Sequence, residues 1–249
     1  MAKRLEGEVA IVTGAASGLG RAIVGLFIAE GAHVVLADVD TQAGQEVADQ
    51  LGSAFVPTDV TNATAVSRLV EFTAREYGKL DIMCNNAGVF AGAGPLIGTS
   101  DRDFAFMVAV NFQGVFHGTR EAGRVMSQQR QGVIVNTAST GGSSPTEGMA
   151  VYSGTKAAVI AMSKACAIEL APHGVRVNTV SPGTMITGIV PDDSEIRRKL
   201  DTIQPVGYAA QPEQMAAGVL FLASPDGNYV TGHDLVVDGG QTAGRAAVL

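Results

Sequence analysis

Cysteine is scarce in this chain: Cys84 and Cys166 are the only two in 249 residues. Two thiols make no disulfide framework. Cys84, set beside Leu80, Ile82 and Met83, reads as a buried reduced thiol that suits the cytoplasm. Positive charge is also short. Lys and Arg number 17 against 24 Asp and Glu, a net charge of −7, and no basic run breaks the sequence. That balance excludes a nucleic-acid footprint and argues against anionic surfaces as partners. Uninterrupted apolar runs of membrane length are missing too. The richest stretch, 157–171, is cut by Lys164 and Glu169, so no membrane span is expected. The opening residues 1–8 hold no apolar core, and no signal peptide is expected. His33, His117, His173 and His233 are scattered without metal-ligand spacing, so no metal site is expected. There is no Gly-x-Ser-x-Gly elbow and no reactive-cysteine setting. Repeats, low-complexity tracts and linkers are absent, which leaves one domain over residues 1–249 as the expectation.

What the chain does have is apolar content: 46% hydrophobic residues and a mean hydropathy of +0.22. A parallel sheet covered on both faces explains this, because its strands read as continuous apolar runs. Such runs lie at 9–13, 33–38, 54–57, 80–85, 133–137, 176–180 and 235–237. Helical patterns fall between them, at 19–30, 41–51, 63–77, 101–128, 149–170 and 213–222. The alternation predicts an α/β fold, a single doubly wound Rossmann-type domain with a seven-stranded parallel sheet. Right-handed crossovers then put the reactive site at the carboxyl ends of the strands. One segment breaks the rhythm. Residues 183–211 form a long insertion with Pro191 and Pro205 inside it and Pro212 at its border, and long insertions of this kind tend to be functional.

The first strand runs into Gly14-Ala-Ala-Ser17-Gly18-Leu19-Gly20, and a helix pattern follows at once. Glycines here let the backbone turn and approach a pyrophosphate, while a helix N-terminus offers free N–H groups to the anion. The second strand ends at Asp38, where a carboxylate can accept hydrogen bonds from the adenosine ribose hydroxyls. It would repel a 2′-phosphate, and no Arg or Lys stands at Ala15, Ala16, Ser17 or Val39 to offset that. NAD is therefore the expected cofactor rather than NADP.

Further on come Asp59-Val60, Asn85-Asn86-Ala87-Gly88, Asn111, Ser139 and Tyr152-Ser-Gly-Thr-Lys156. In this order and spacing, the chain resembles a short-chain dehydrogenase/reductase of about 250 residues from Val9 to Gly240. The physics of one pair supports the resemblance. Tyr152 and Lys156 are i and i+4 on a helical segment and share a face. A phenol is a poor base at neutral pH, and a neighbouring ammonium favours its ionised form. Tyr152 is thus the expected general acid–base.

The resemblance implies further roles. Ser139 orients the substrate oxygen, Lys156 also holds the nicotinamide ribose, and Asn111 helps a water chain carry the proton onward. Asn111 equally reads as a buried amide satisfying backbone groups in a long helix. Asp59 and Val60 meet the adenine, and Asn86, Ala87 and Gly88 lie near the adenosine half. Pro182, Gly183, Met185 and Thr187 receive the nicotinamide carboxamide. The expected substrate is a small or cyclic apolar secondary alcohol or ketone, because the candidate wall 90–94, 143–149 and 184–190 holds no Arg or Lys. A 3-oxoacyl-[acyl-carrier-protein] reductase is the alternative, with Arg124 and Arg130 as a docking patch. A dinucleotide-binding protein without turnover is a third reading, disfavoured by the presence of all four catalytic-type residues. The resemblance also implies a homotetramer built through the helices at 101–128 and 149–170.

Overall fold

The computed structural model describes residues 3–186 and 194–244. Strand β1 (Val9–Thr13) is buried at every position, because helices cover both of its faces, and it has a parallel partner on each side. These are β2 (His33–Asp38) and β4 (Ile82–Asn85). Strand β3 (Ala54–Pro57) lies outside β2. On the other side β4 is followed by β5 (Gly132–Thr137), β6 (Val175–Pro182) and β7 (Asp234–Val237). The seven-stranded order is 3-2-1-4-5-6-7. Parallel neighbours need crossovers, and helices supply them: α1 (Gly18–Ala29), α2 (Thr41–Leu51), α3 (Ala63–Tyr77), α4 (Asp101–Val108), α5 (Gly114–Gln129), the single turn α6 (Thr140–Ser143), α7 (Ala150–Leu170), α8 (Ser194–Asp201) and α9 (Pro212–Ala223).

Side-chain alternation along the strands divides the core into two layers. Ala10, Val12, Val34 and Leu36 pack with Ile23 and Phe27 of α1, Val47 of α2 and Met215 and Leu220 of α9. Ile11, Val35 and Ala37 pack on the opposite face with Leu69 of α3, Met126 of α5 and Ala167 of α7. Burying each large apolar side chain contributes about 1.5–3 kcal/mol, so both helix layers are held mainly by these contacts. The strand order reverses between β1 and β4, and that switch point opens a crevice at the carboxyl edge.

A polar network lies beneath that edge. Asn85 Nδ2 donates to Asn136 Oδ1 at 2.8 Å and to Thr119 Oγ1 at 3.3 Å, and Asn136 Nδ2 donates to Ser163 Oγ at 2.8 Å. All four residues are buried, so β4, β5, α5 and α7 are joined by bonds that leave few polar atoms unpaired.

The structure departs from the expected elements in four places. The helix expected over 101–128 is continuous, but a π-helical segment, Ala109–Gln113, separates α4 from α5. Strand β4 begins at Ile82 rather than 80, because Asp81 turns its carboxylate onto the Val9 N–H at 2.8 Å and Lys79 at 2.7 Å. Strand β6 extends to Pro182. Two short helices, α6 and α8, stand where loops were expected.

Candidate active site

Strands β1 to β6 each deliver one part of the site at their carboxyl ends. After β1 comes Gly14, whose φ of +65° suits glycine. A Cβ there would lie 2.8 Å from the Ala87 Cα, so the glycine also lets the β1 and β4 loops meet. Thr13 fixes that meeting. Its Oγ1 accepts the Asn86 N–H at 3.0 Å and the Ala87 N–H at 3.1 Å.

Ser17 is the N-cap of α1, with extended φ and ψ, and its side chain makes no capping bond. The first turn of α1 holds no acidic residue. The orphan N–H groups and positive end of this helix are therefore left to an anion. In front of it lies a cleft of about 1000 Å³ lined by Gly14, Ser17, Leu19, Gly20, Asp38, Asp59, Val60, Asn86, Ala87, Gly88, Ser139, Tyr152, Lys156, Pro182, Gly183 and Met185. Its size suits a dinucleotide. Gly18 opens α1 next to Ser17, while Thr187 lies outside the described residues.

Several expected contacts are already engaged with the chain. The half-buried Asp38 accepts the Ala16 N–H at 2.9 Å and the Asp40 N–H at 3.0 Å, so it also holds the glycine loop. Each of its oxygens keeps a further lone pair for a ribose hydroxyl. Asp59 accepts from Thr61 N–H and Oγ1 at 2.9 and 2.8 Å. The Val60 carbonyl lies 2.9 Å from His117 Nδ1. The Asn86 side chain turns inward, donating to the Thr13 carbonyl at 3.0 Å. Gly183 donates its N–H to the Val237 carbonyl at 2.9 Å, and a Cβ on it would strike Asp238 at 2.7 Å. The next residues pair with the return limb of the insertion, where Met185 bridges Ala210.

The catalytic-type residues fall into two groups. Ser139 caps α6 and accepts the Gly141 N–H at 3.1 Å, which leaves its hydroxyl proton free to point elsewhere. Lys156 is 3% exposed. Its Nζ donates to the Thr137 carbonyl at 2.8 Å and stands 5.8 Å from the centre of the Tyr152 ring. Burial brings the Lys156 pKa down to about 8. Burial also pushes the Tyr152 phenol up, and its contact with Ser139 acts in the opposite direction. The ammonium was expected to favour the phenolate, but in the protein alone desolvation decides the direction.

Asn111 lies just behind the cleft wall, where a Cβ on Gly88 would come 3.5 Å from its Oδ1 and 3.4 Å from the Lys156 Nζ. It lies in the π-helical segment, fully buried, outside the cleft lining. Its amide clamps Val89, accepting its N–H at 2.7 Å and donating to its carbonyl at 2.9 Å. It therefore satisfies backbone groups, as one of its two readings had it. The Thr13 hub was not anticipated. Its signal is a strand-terminal Thr directly before the glycine loop.

Residues 14–242 match the family model described as enoyl-(acyl carrier protein) reductase. The chain belongs to the short-chain dehydrogenase/reductase family. Among relatives in that family, it is 41% identical to the mitochondrial borneol dehydrogenase of Lavandula x intermedia, over 96% of this chain and 92% of that one. It is 37% identical to secoisolariciresinol dehydrogenase of Forsythia intermedia, over 96% of this chain and 91% of that one. Among solved structures, the 3-ketoacyl-(acyl-carrier-protein) reductase of Brucella melitensis, complexed with NADH, superposes with a TM-score of 0.91 at 34% identity. That match covers 96% of this chain and 99% of the other. This short-chain dehydrogenase/reductase is an oxidoreductase acting on CH–OH groups with a nicotinamide cofactor. Among the described residues, no helix is long and apolar enough to cross a membrane, and no group of three or more His, Cys, Asp or Glu is arranged to hold a metal ion.

Proposed function

We propose that this protein is an NAD-dependent dehydrogenase of small or cyclic apolar secondary alcohols, run reversibly as a ketone reductase. The observation that carries this reading is the trio of Ser139, Tyr152 and buried Lys156 at one end of the cleft. A nicotinamide bound in this cleft would supply the hydride chemistry, taking a hydride from the alcohol carbon or returning it to the ketone. The chain's own residues handle the proton. In oxidation the Tyr152 oxygen takes the alcohol proton as the C=O bond forms, and in reduction it gives that proton back. The Ser139 hydroxyl donates to the same substrate oxygen and holds it in place. Lys156 supplies a positive charge beside the phenol, with two further N–H donors for the ribose. The balance is alcohol plus NAD⁺ giving ketone, NADH and one proton.

NAD is favoured by Asp38, whose carboxylate a 2′-phosphate would have to approach. Among the described residues, the only cation lining the cleft is Lys156. It is bonded at the end of β5, three strands from β2 in the sheet, a separation of roughly 14 Å. Asp59, Val60 and the segment 86–88 line the adenosine side in this reading, and Pro182, Gly183, Met185 and Thr187 the nicotinamide side. One domain carries both functions, with 183–211 as the substrate loop. We also propose a cytoplasmic homotetramer, on the grounds of the free thiols Cys84 and Cys166 and the apolar surface of α4 and α7.

The acyl-carrier-protein reductase reading has the Brucella relative in its favour. Docking an acidic carrier needs free cations, however. Arg124 is paired with the buried Glu121 at 3.0 Å, which counts against its part in a docking patch. The test is nicotinamide absorbance with NAD or NADP and a panel of aliphatic, cyclic and aromatic secondary alcohols. NAD is expected to be reduced, faster as the pH rises because the buried phenol must ionise, and Tyr152→Phe is expected to lower kcat by about 10²–10⁴-fold. Preference for NADP would instead move the acyl reductase into first place.

A further inference from the structure

A second cavity adjoins the site on the far side of the phenol. It measures about 140 Å³, lies between the loop after β4 and the start of α7, and is bordered by Phe90, Gly94, Asp103, Met107, Gly148 and Tyr152. Phe90 and Tyr152 are its boundary with the large cleft, since both residues line both spaces. The two rings meet edge to face, with centroids 5.5 Å apart and planes at 81°, a favourable geometry for an aromatic pair. Phe90 is nevertheless 47% exposed, so about half its surface is open to a ligand. The two loops that flank it are tied by one backbone bond, Gly94 N–H to the Gly148 carbonyl at 3.0 Å. That bond holds the cavity's walls together behind Phe90.

We propose that Phe90 is the specificity-determining residue of the substrate site. Its ring is the partition that keeps the far end of an alcohol out of this second cavity. The proposal rests on the alcohol-dehydrogenase reading above and deepens it. With the hydroxyl carbon held at Tyr152, a substrate longer than one ring must pass over or displace Phe90. The space beyond is roughly what a benzene ring fills. Its chemistry selects as well. Among the described residues, Asp103 is the only charged one on its border, and its carboxylate accepts the Ser100 hydroxyl at 2.7 Å. Among the described residues no cation lies on that border, so a carboxylate end would meet a like charge without a counter-ion and an uncharged end is preferred.

The experiment compares kcat/KM for cyclohexanol, 4-phenylcyclohexanol and 4-(4-hydroxycyclohexyl)benzoate in the unaltered enzyme, Phe90→Ala and Phe90→Trp. The ratio of the phenyl compound to cyclohexanol is expected to rise at least about tenfold in Phe90→Ala and to fall in Phe90→Trp, a tenfold change being an ordinary reach for pocket size. The benzoate is expected to gain less than about threefold in Phe90→Ala. A ratio cancels any general loss of rate, and the two variants push in opposite directions, so a change in the stated direction in either one supports the role of Phe90. Ratios unchanged in both variants would overturn the role of Phe90 while leaving the dehydrogenase reading intact. Failure of the unaltered enzyme to oxidise any secondary alcohol would overturn that reading and this proposal with it.

Discussion

Lys156 carries its charge in the interior, with the Thr137 carbonyl as its hydrogen-bond partner. Its folded pKa of about 8 lies below the ordinary 10.5. Below pH 8 the ammonium is protonated in both states, and the folded protein bears the full desolvation cost, about 3 kcal/mol. Between pH 8 and 10.5 the unfolded chain binds more protons, so stability rises with pH over that window. Replacing the residue with an apolar side chain of similar length should remove the cost. Lys156→Met is expected to raise Tm at pH 7 by a few degrees, less any loss from the missing bond to Thr137, and the gain should shrink towards pH 10. Thermal melts across that range check it, and a constant gain would contradict the argument. The same variant should lose turnover, so here stability and activity pull apart at one residue.

Among the elements, the junction of β4, β5, α5 and α7 depends on Asn136, which accepts from Asn85 and donates to Ser163. Asn136→Ala would take the donor from the buried Ser163 and leave Asn85 only its longer bond to Thr119, a loss of about 1–3 kcal/mol for the unsatisfied group. Denaturant unfolding should show that loss, and Asn136→Asp should not restore it, because a carboxylate at this fully buried position would carry a charge with no cation beside it, even with the Ser163 hydroxyl donating to it. The strands and helices from 9 to 77 were legible in the sequence because apolar runs there end at Gly, Asp or Asn. Tyr152 and Lys156 were legible because helical spacing alone puts them on one face. The π-helical segment was not, since one turn of altered hydrogen bonding leaves the apolar pattern of 101–128 intact. Nor was the inward turn of Asn86, which depends on Thr13 arriving from another strand. The upward shift of the Tyr152 phenol was hidden for a similar reason, because it comes from burial in the assembled fold.

The whole molecule presents an apolar groove of about 380 Å³ across α4 and α7, bordered by Phe104, Val108, Phe112, Val151 and Ala158. Phe104 is 52% exposed there. In the proposed tetramer this face meets another copy, and a charge placed on it would need desolvation without a partner. Phe104→Glu is therefore expected to reduce the assembly to smaller species by light scattering, with a folded circular-dichroism spectrum retained. A monomer in the unaltered protein would remove the tetramer from the proposal.

The Met185–Ala210 bridge has a wider consequence. Ile186 N–H also donates to the Ala210 carbonyl at 2.9 Å, and Ala210 N–H to the Thr184 carbonyl at 3.2 Å. The chain thus leaves β6 and comes back beside its own outgoing limb through a stitched doorway before entering α9. Closing a loop between two such fixed ends costs only about 0.6 kcal/mol for each doubling of its length. Changes of length ahead of α8 therefore carry little closure cost, whereas residues 204–206 must keep their packing on the turn after β7, where the Val206 N–H donates to the Gly239 carbonyl at 3.2 Å. Selectivity can drift by insertion and deletion at that doorway while the proton-handling residues keep their places.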